Sequence, residues 1–198
     1  MSDAETLSVY AAKAAEYAKL TSGEEASPSL LRFISELPEE AKTLDIGCGP
    51  GFAAGAMAAA GMKAEAWDPE PEMVAMAAER AGVTAREATY SDLSAEKVYD
   101  GIWCNFSMLH TPLTAWPDQF AAIARALKPG GLMHFGTKLG VGEKRDGIGR
   151  LYSYMTESAL TALLGQTGFT VEYLRTGEEK GLDGKLASFI VIQARTHA

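Results

Sequence analysis

The sequence predicts an α/β fold built round a mostly parallel sheet. Two observations carry this expectation. Strand-like and helix-like segments alternate along most of the 198 residues, the pattern of helices laid against the faces of a sheet. A glycine-rich turn, Gly47-Cys48-Gly49-Pro50-Gly51, separates a short apolar strand from a helix of small residues. That is where open α/β sheets bind nucleotides, at the carboxyl ends of their strands. The length suits a single domain, residues 1–198. A chain with 47% hydrophobic and 22% charged residues has the composition of a folded protein, not a disordered one.

The elements follow in order. Residues Glu5–Leu20 read as a helix, because Leu7, Tyr10, Ala14, Tyr17 and Leu20 recur at three- and four-residue spacing. A break at Thr21–Ser27 precedes a second amphipathic helix, Pro28–Leu37, which Pro38 ends. Thr43–Ile46 is the first strand, Phe52–Ala60 the next helix and Lys63–Trp67 the second strand. A helix over Pro71–Ala81 and a third strand, Val83–Ala88, come next. Tyr99–Asn105 is a buried fourth strand, followed by a helix at Pro117–Leu127 and, after the turn Lys128-Pro129-Gly130-Gly131, a fifth strand at Leu132–Thr137. Residues 138–154 read as a loop. A helix at Glu157–Gln166 and strands at Phe169–Thr176 and Leu186–Ala194 bring the count to seven strands.

Charge and cysteine usage narrow the functional classes. The formal net charge is −8, which argues against nucleic acid and against an anionic membrane surface, since both are bound through excess Lys and Arg. Cys48 and Cys104 form no C-x-x-C pair, so zinc and dithiol motifs are absent and no metal is expected. No signal-like or membrane-spanning segment is visible, and the expected home is the cytoplasm. One stretch runs against the acidic average: residues 138–150 hold Lys138, Lys144, Arg145 and Arg150 against Glu143 and Asp146. It reads either as a solvated loop or as a lid whose cations meet an anionic substrate.

The glycine turn also says which nucleotide fits. Asp45 lies two residues before the first glycine, and Asp68 ends the second strand at the position that hydrogen-bonds a ribose. A dinucleotide fold uses G-x-G-x-x-G with the helix N-terminus clear for a pyrophosphate. Here the spacing is G-x-G-x-G with a carboxylate upstream. That carboxylate repels a pyrophosphate and suits the ammonium group of S-adenosylmethionine.

Four motifs in order, LDIGCGPG at 44–51, WDPEPEM at 67–73, YDGIWCNFSMLH at 99–110 and LKPGG at 127–131, resemble those of the class I S-adenosylmethionine-dependent methyltransferases, in their small-molecule, bacterial-type branch. The resemblance implies a Rossmann-like seven-stranded mixed sheet in the order 3-2-1-4-5-7-6, with strand 7 antiparallel, flanked by helices. It implies that Gly47, Gly49 and Gly51 line the methionine part of the cofactor and that Asp45 holds its ammonium. Asp68 would accept from the ribose hydroxyls, Met73 would pack near the adenine and Asn105 would shape the pocket beside the methionine. The family's acidic adenine contact falls near Thr89, where this chain continues Tyr90-Ser91-Asp92; Asp92, or the backbone and ring of Tyr90, takes that slot. The product would be S-adenosylhomocysteine.

On the acceptor side the resemblance places His110, just after the fourth strand, as a candidate general base. Residues 1–40 would form a helical lid. Tyr10 and Tyr17 share one helix face, and Tyr17, Lys138, Arg150 and Tyr152 are candidates to contact the acceptor. The expected partner is a small molecule, possibly anionic, with no nucleic acid and no membrane, and the protein a monomer or homodimer. No Asn-Pro-Pro-Tyr or Asp-Pro-Pro-Tyr follows the fourth strand, which reads Asn105-Phe106-Ser107-Met108, against DNA adenine or glutamine methylation. Two rival readings are a non-catalytic module that binds S-adenosylmethionine and a nicotinamide-dependent oxidoreductase.

Overall fold

A computed structural model of the chain describes residues 3–20, 27–180 and 184–197. Seven strands form the main sheet: β1 (Lys42–Ile46), β2 (Lys63–Asp68), β3 (Val83–Glu87), β4 (Tyr99–Asn105), β5 (Leu127–Lys138), β8 (Phe169–Lys180) and β9 (Leu186–Thr196). The remaining two, β6 (Gly142–Arg145) and β7 (Leu151–Tyr154), pair as a separate antiparallel hairpin. The main sheet runs β3-β2-β1-β4-β5-β9-β8. Its first five strands are parallel, and β9 lies antiparallel between β5 and β8. Counted within this sheet alone, β8 and β9 are its sixth and seventh strands, so the order is the expected 3-2-1-4-5-7-6.

The side-chain period of two sorts the strands onto two faces. Leu44, Ile46, Ile102, Cys104, Met133, Phe135, Ile190 and Ile192 belong to one buried cluster, which also takes Trp116, Phe120 and Ile123 of α6 (Trp116–Ala126) and Leu160 and Leu164 of α7 (Glu157–Gln166). Ala64, Trp103 and Leu132 face the other way, against Leu30 and Phe33 of α3 (Pro28–Ser35) and Ala53 and Met57 of α4 (Phe52–Ala59). Phe120 and Phe135 meet edge to face with centroids 5.0 Å apart. Each fully buried aromatic or aliphatic side chain of this kind contributes about 1.5–3 kcal/mol. Between β2 and β3, α5 (Pro71–Ala78) packs through Ala77 against Ala54 and Ala66.

Two local expectations change. The segment read as one N-terminal helix is two, α1 (Ala4–Ala12) and α2 (Ala14–Leu20), parted at Lys13, which has φ −121° and ψ 18°. In an unbroken helix Tyr10 and Tyr17 stand about 10 Å apart along the axis. The break brings their ring centroids to 5.0 Å. The span 138–154, read as a loop, holds the β6–β7 hairpin, whose Gly142↔Tyr154 to Arg145↔Leu151 ladder joins charged and aromatic residues with no apolar alternation to announce it. The break expected at Thr21–Ser27 lies, apart from Ser27, outside the described residues. No helix among the described residues is long and apolar enough to cross a membrane.

Candidate active site

The site is built from the carboxyl ends of β1, β2 and β4. As the chain leaves β1 it turns back at once, and Gly47 N–H and Cys48 N–H both donate to the Trp67 carbonyl of β2, at 2.7 and 3.0 Å. Gly47 adopts φ +73°, and a Cβ there would overlap the Cβ of Ser107 beyond β4. Gly51 has φ +74° and presses against Ala77 of α5, so it serves the packing of α4 on α5. Gly47→Ala is expected to cost a few kcal/mol, about 1–2 of it from the left-handed backbone. A thermal unfolding midpoint equal to that of the parent protein would show that Ser107 moves aside.

Asp68 closes β2 at the edge of the turn. Its Oδ2 accepts from Gly49 N–H at 2.8 Å and its Oδ1 from Glu70 N–H at 2.9 Å. Burial pushes its pKa up to about 6, and those two amide bonds and the Glu70 charge are lesser influences. The carboxylate thus ties the glycine turn to the start of α5 and still borders open space. Ser107 Oγ donates to the Ile46 carbonyl at 2.8 Å, so the Tyr90 hydroxyl, 2.6 Å from that oxygen, donates to Ser107.

These groups line one cleft that opens to solvent. Of the residues singled out in the sequence, Gly47, Gly49, Asp68, Met73, Tyr90, His110 and Tyr17 stand on its walls. Asp45, Gly51, Asp92, Asn105, Lys138, Arg150 and Tyr152 do not. Asp45 is buried in β1 and Gly51 caps α4. The Asp92 carboxylate is turned back onto the Thr89 amide and hydroxyl, both at 2.8 Å, in a capping box. Asn105 accepts from His134 Nε2 at 3.1 Å, and His134 itself lies flat on Trp103, centroids 3.5 Å apart, as a histidine of the interior.

The cations of residues 138–150 are engaged elsewhere. Lys138 pairs with Glu179 at 2.8 Å, Arg145 with Asp3 and Glu5, Arg150 with Asp146, and Lys144 lies over the Tyr154 ring. No lysine or arginine among the described residues lines the cleft, whereas Asp68 and Glu70 do. Of the two readings of this basic stretch, the cation-bearing lid for a possibly anionic acceptor finds no lysine or arginine of the stretch on the cleft wall. The stretch is basic because it answers acidic residues of the N-terminal helix, of β8 and of its own turn.

His110 sits on the wall with both ring nitrogens occupied. Nδ1 lies 2.7 Å from the Leu151 carbonyl and Nε2 2.8 Å from the Tyr10 hydroxyl. Burial pulls its pKa down to about 4, with the Leu151 bond opposing and Arg150 assisting. It is a neutral imidazole near pH 7, and it reaches the cleft through Tyr10. Tyr152 packs behind it, ring centroids 4.9 Å apart. Sequence reasoning passed over Thr6, Leu7, Phe106, Ser107 and Thr111 on the same wall. Only Phe106 left a trace of its own in the backbone, a positive φ of 51° directly after β4, the kind of backbone outlier that gathers at functional sites.

The residues fit a cationic nucleoside that carries no phosphate. A turn stripped of side chains lies beside a carboxylate, Met73, Ala88 and Tyr90 supply an apolar wall, and no lysine or arginine among the described residues faces the space. The strand order and this cradle define the class I methyltransferase fold. A family model described as a methyltransferase domain matches residues 43–131. No curated protein sequence matches the chain. Among solved structures, the 1,6-didemethyltoxoflavin N1-methyltransferase of Burkholderia thailandensis, with 1,6-didemethyltoxoflavin and S-adenosylhomocysteine bound, is 22% identical with a TM-score of 0.79, over 98% of this chain and 88% of that one. A SAM-dependent methyltransferase of Methanosarcina mazei is 20% identical, TM-score 0.73, over 86% and 98% of the two chains. A Haloferax volcanii complex of the Trm112 methyltransferase activator with a methyltransferase gives 15% identity and a TM-score of 0.75 over 98% and 96%.

The chain thus shares the class I methyltransferase fold with these structures, and its residues 43–131 match the methyltransferase domain model. The domain match and this fold support methyl transfer with S-adenosylmethionine as the methyl donor.

Proposed function

We propose that the protein methylates a small, flat, uncharged molecule whose reacting atom carries a hydrogen. The observation that carries this reading is the lining of the cleft, where Tyr10, Tyr17, Phe106 and His110 supply rings and no lysine or arginine of the described residues stands. Flat rings stack against such a wall, while a phosphate or carboxylate would leave its charge unmatched. The toxoflavin relative, which acts on a heteroaromatic molecule, supports the same class of acceptor. The net charge of −8 speaks against nucleic acid as a partner.

When bound, S-adenosylmethionine supplies a methyl group on a sulfonium. In this reading Gly47 and Gly49 give its methionine part a backbone cradle, Asp68 takes the ribose hydroxyls, and Met73 and Tyr90 flank the adenine. The α1–α2 segment covers the cleft, its Tyr17 lying against Gly49, and keeps water from the reacting atoms. Holding two reactants in line in a dry site accounts for most of what such an enzyme has to do.

Calorimetric titration with S-adenosylmethionine, S-adenosylhomocysteine and NAD tests the cofactor side, with micromolar binding of the first two and none of NAD as the expected outcome. A screen of neutral heteroaromatic N–H and O–H compounds against their carboxylated and phosphorylated counterparts tests the acceptor. Turnover confined to the charged members would refute the reading.

A further inference from the structure

Four side chains from three parts of the chain form one hydrogen-bonded line beside the cleft, and its polarity is forced from both ends. At one end stands the Leu151 carbonyl, which only accepts. His110 Nδ1, 2.7 Å away, must therefore carry the ring proton. The ring is neutral, so Nε2 is a bare lone pair, and the Tyr10 hydroxyl 2.8 Å away donates to it. At the other end stands Arg150, which only donates. Its Nη1 gives a hydrogen to the same Tyr10 oxygen at 3.0 Å, while Nε and Nη2 hold Asp146 Oδ2 at 2.9 and 2.8 Å. The Tyr10 oxygen has thus committed its hydrogen and one of its two lone pairs. One lone pair is all it has left to offer. Tyr10 and His110 line the cleft and Arg150 does not.

We propose that Tyr10 is the residue that meets the acceptor, its remaining lone pair taking a hydrogen bond from an N–H or O–H of the molecule to be methylated and rejecting molecules that present only a lone pair there. His110 is then a positioning residue that acts through Tyr10, and Arg150 and Asp146 keep the tyrosine oxygen from turning. This rests on reading the cleft as the place of small-molecule methylation. As the acceptor atom bonds to the methyl carbon, its bond to hydrogen breaks and that electron pair stays on the acceptor atom. The proton moves to the Tyr10 oxygen while the Tyr10 proton passes to His110 Nε2. The electron pair of the broken sulfur–carbon bond stays on sulfur, and the positive charge lost there reappears on the His110 imidazolium, which gives its proton to solvent.

Two measurements test the proposal. The first is nitrogen-15 NMR of His110 in the free protein. The ring proton is expected on Nδ1, and Tyr10→Phe is expected to raise the His110 pKa, because the lost O–H bond favoured only the neutral ring. A proton on Nε2, or a pKa unmoved by the substitution, overturns the proposal. The second is calorimetric binding of indole and benzofuran, which share an outline but differ in the ring N–H, to protein loaded with S-adenosylhomocysteine. Wild type is expected to prefer indole by roughly five- to tenfold, the worth of one hydrogen bond, and Tyr10→Phe to bring the ratio to about one. Equal affinities in the wild type, binding of neither probe, or an unchanged ratio in the variant overturns the proposal. Failure to bind S-adenosylhomocysteine would strike the methyltransferase reading, whereas the NMR result, which needs no ligand, strikes the Tyr10 assignment alone.

Discussion

Asp146→Ala is expected to destabilise the protein by about 3–5 kcal/mol, the usual consequence of removing one partner from a buried ion pair. The Arg150 side chain is 2% exposed and that of Asp146 7%, so water cannot replace the lost carboxylate. Asp146 also organises the hairpin turn, its Oδ1 accepting from Ile148 N–H and Arg150 N–H at 3.0 Å each. Alanine removes both turn bonds and leaves a guanidinium with the Tyr10 hydroxyl and the Tyr10 and Tyr152 rings but no carboxylate. In a domain of this size the loss corresponds to a fall in midpoint temperature on the order of 10 °C. The complementary change Arg150→Met also breaks the pair, but it leaves Asp146 its two backbone amide donors, and is expected to cost less. Equal losses in the two variants by thermal unfolding would show that the broken ion pair, not the turn bonds, sets the effect.

Asp68→Asn is expected to weaken S-adenosylmethionine binding by about 1–3 kcal/mol, a five- to 150-fold rise in Kd, because an amide has one acceptor where the ribose hydroxyls and two backbone amides need several. The same carboxylate sets the pH dependence. Its folded pKa of about 6 lies above the ordinary value of 3.8, so the folded chain holds this proton more tightly than the unfolded chain. Asp68 therefore makes the protein less stable as pH rises from 3.8 to about 6. A ligand that donates to the carboxylate offsets this. Affinity for S-adenosylmethionine is accordingly expected to be level above pH 6.5 or so and to fall by up to about tenfold per pH unit below about 6. A titration series showing no change between pH 7.5 and 5, or the same decline in the Asn variant, would exclude Asp68 as the responsible group.

The glycine turn and the carboxylate that edge the cleft were legible in the sequence because they are local. The turn at 47–51 and Asp68 sit at the ends of short apolar strands, and a strand–glycine turn–helix unit folds one way whatever surrounds it. The acceptor half was not. Arg150 looked available because it lies in a stretch with more cations than anions, and nothing in that stretch says that Asp146 takes it at i−4 across a hairpin turn, or that Asp3 and Glu5 of α1 take Arg145. Asp92 looked free for an adenine contact, but three residues upstream Thr89 offers it an amide and a hydroxyl at 2.8 Å. His110 looked like a base with a nitrogen to spare until residues 100 and 41 positions away filled both sides of its ring.

The sequence by itself determined the strand count of the main sheet, the place of the glycine turn and the carboxylate at the end of β2, since periodicity, turn chemistry and short-range spacing are carried by neighbouring residues. Only the tertiary structure decided which polar groups are left to meet a ligand. Hydrogen bonds and ion pairs are claimed by whichever partner burial brings near, and at this site the partners come from opposite ends of the chain.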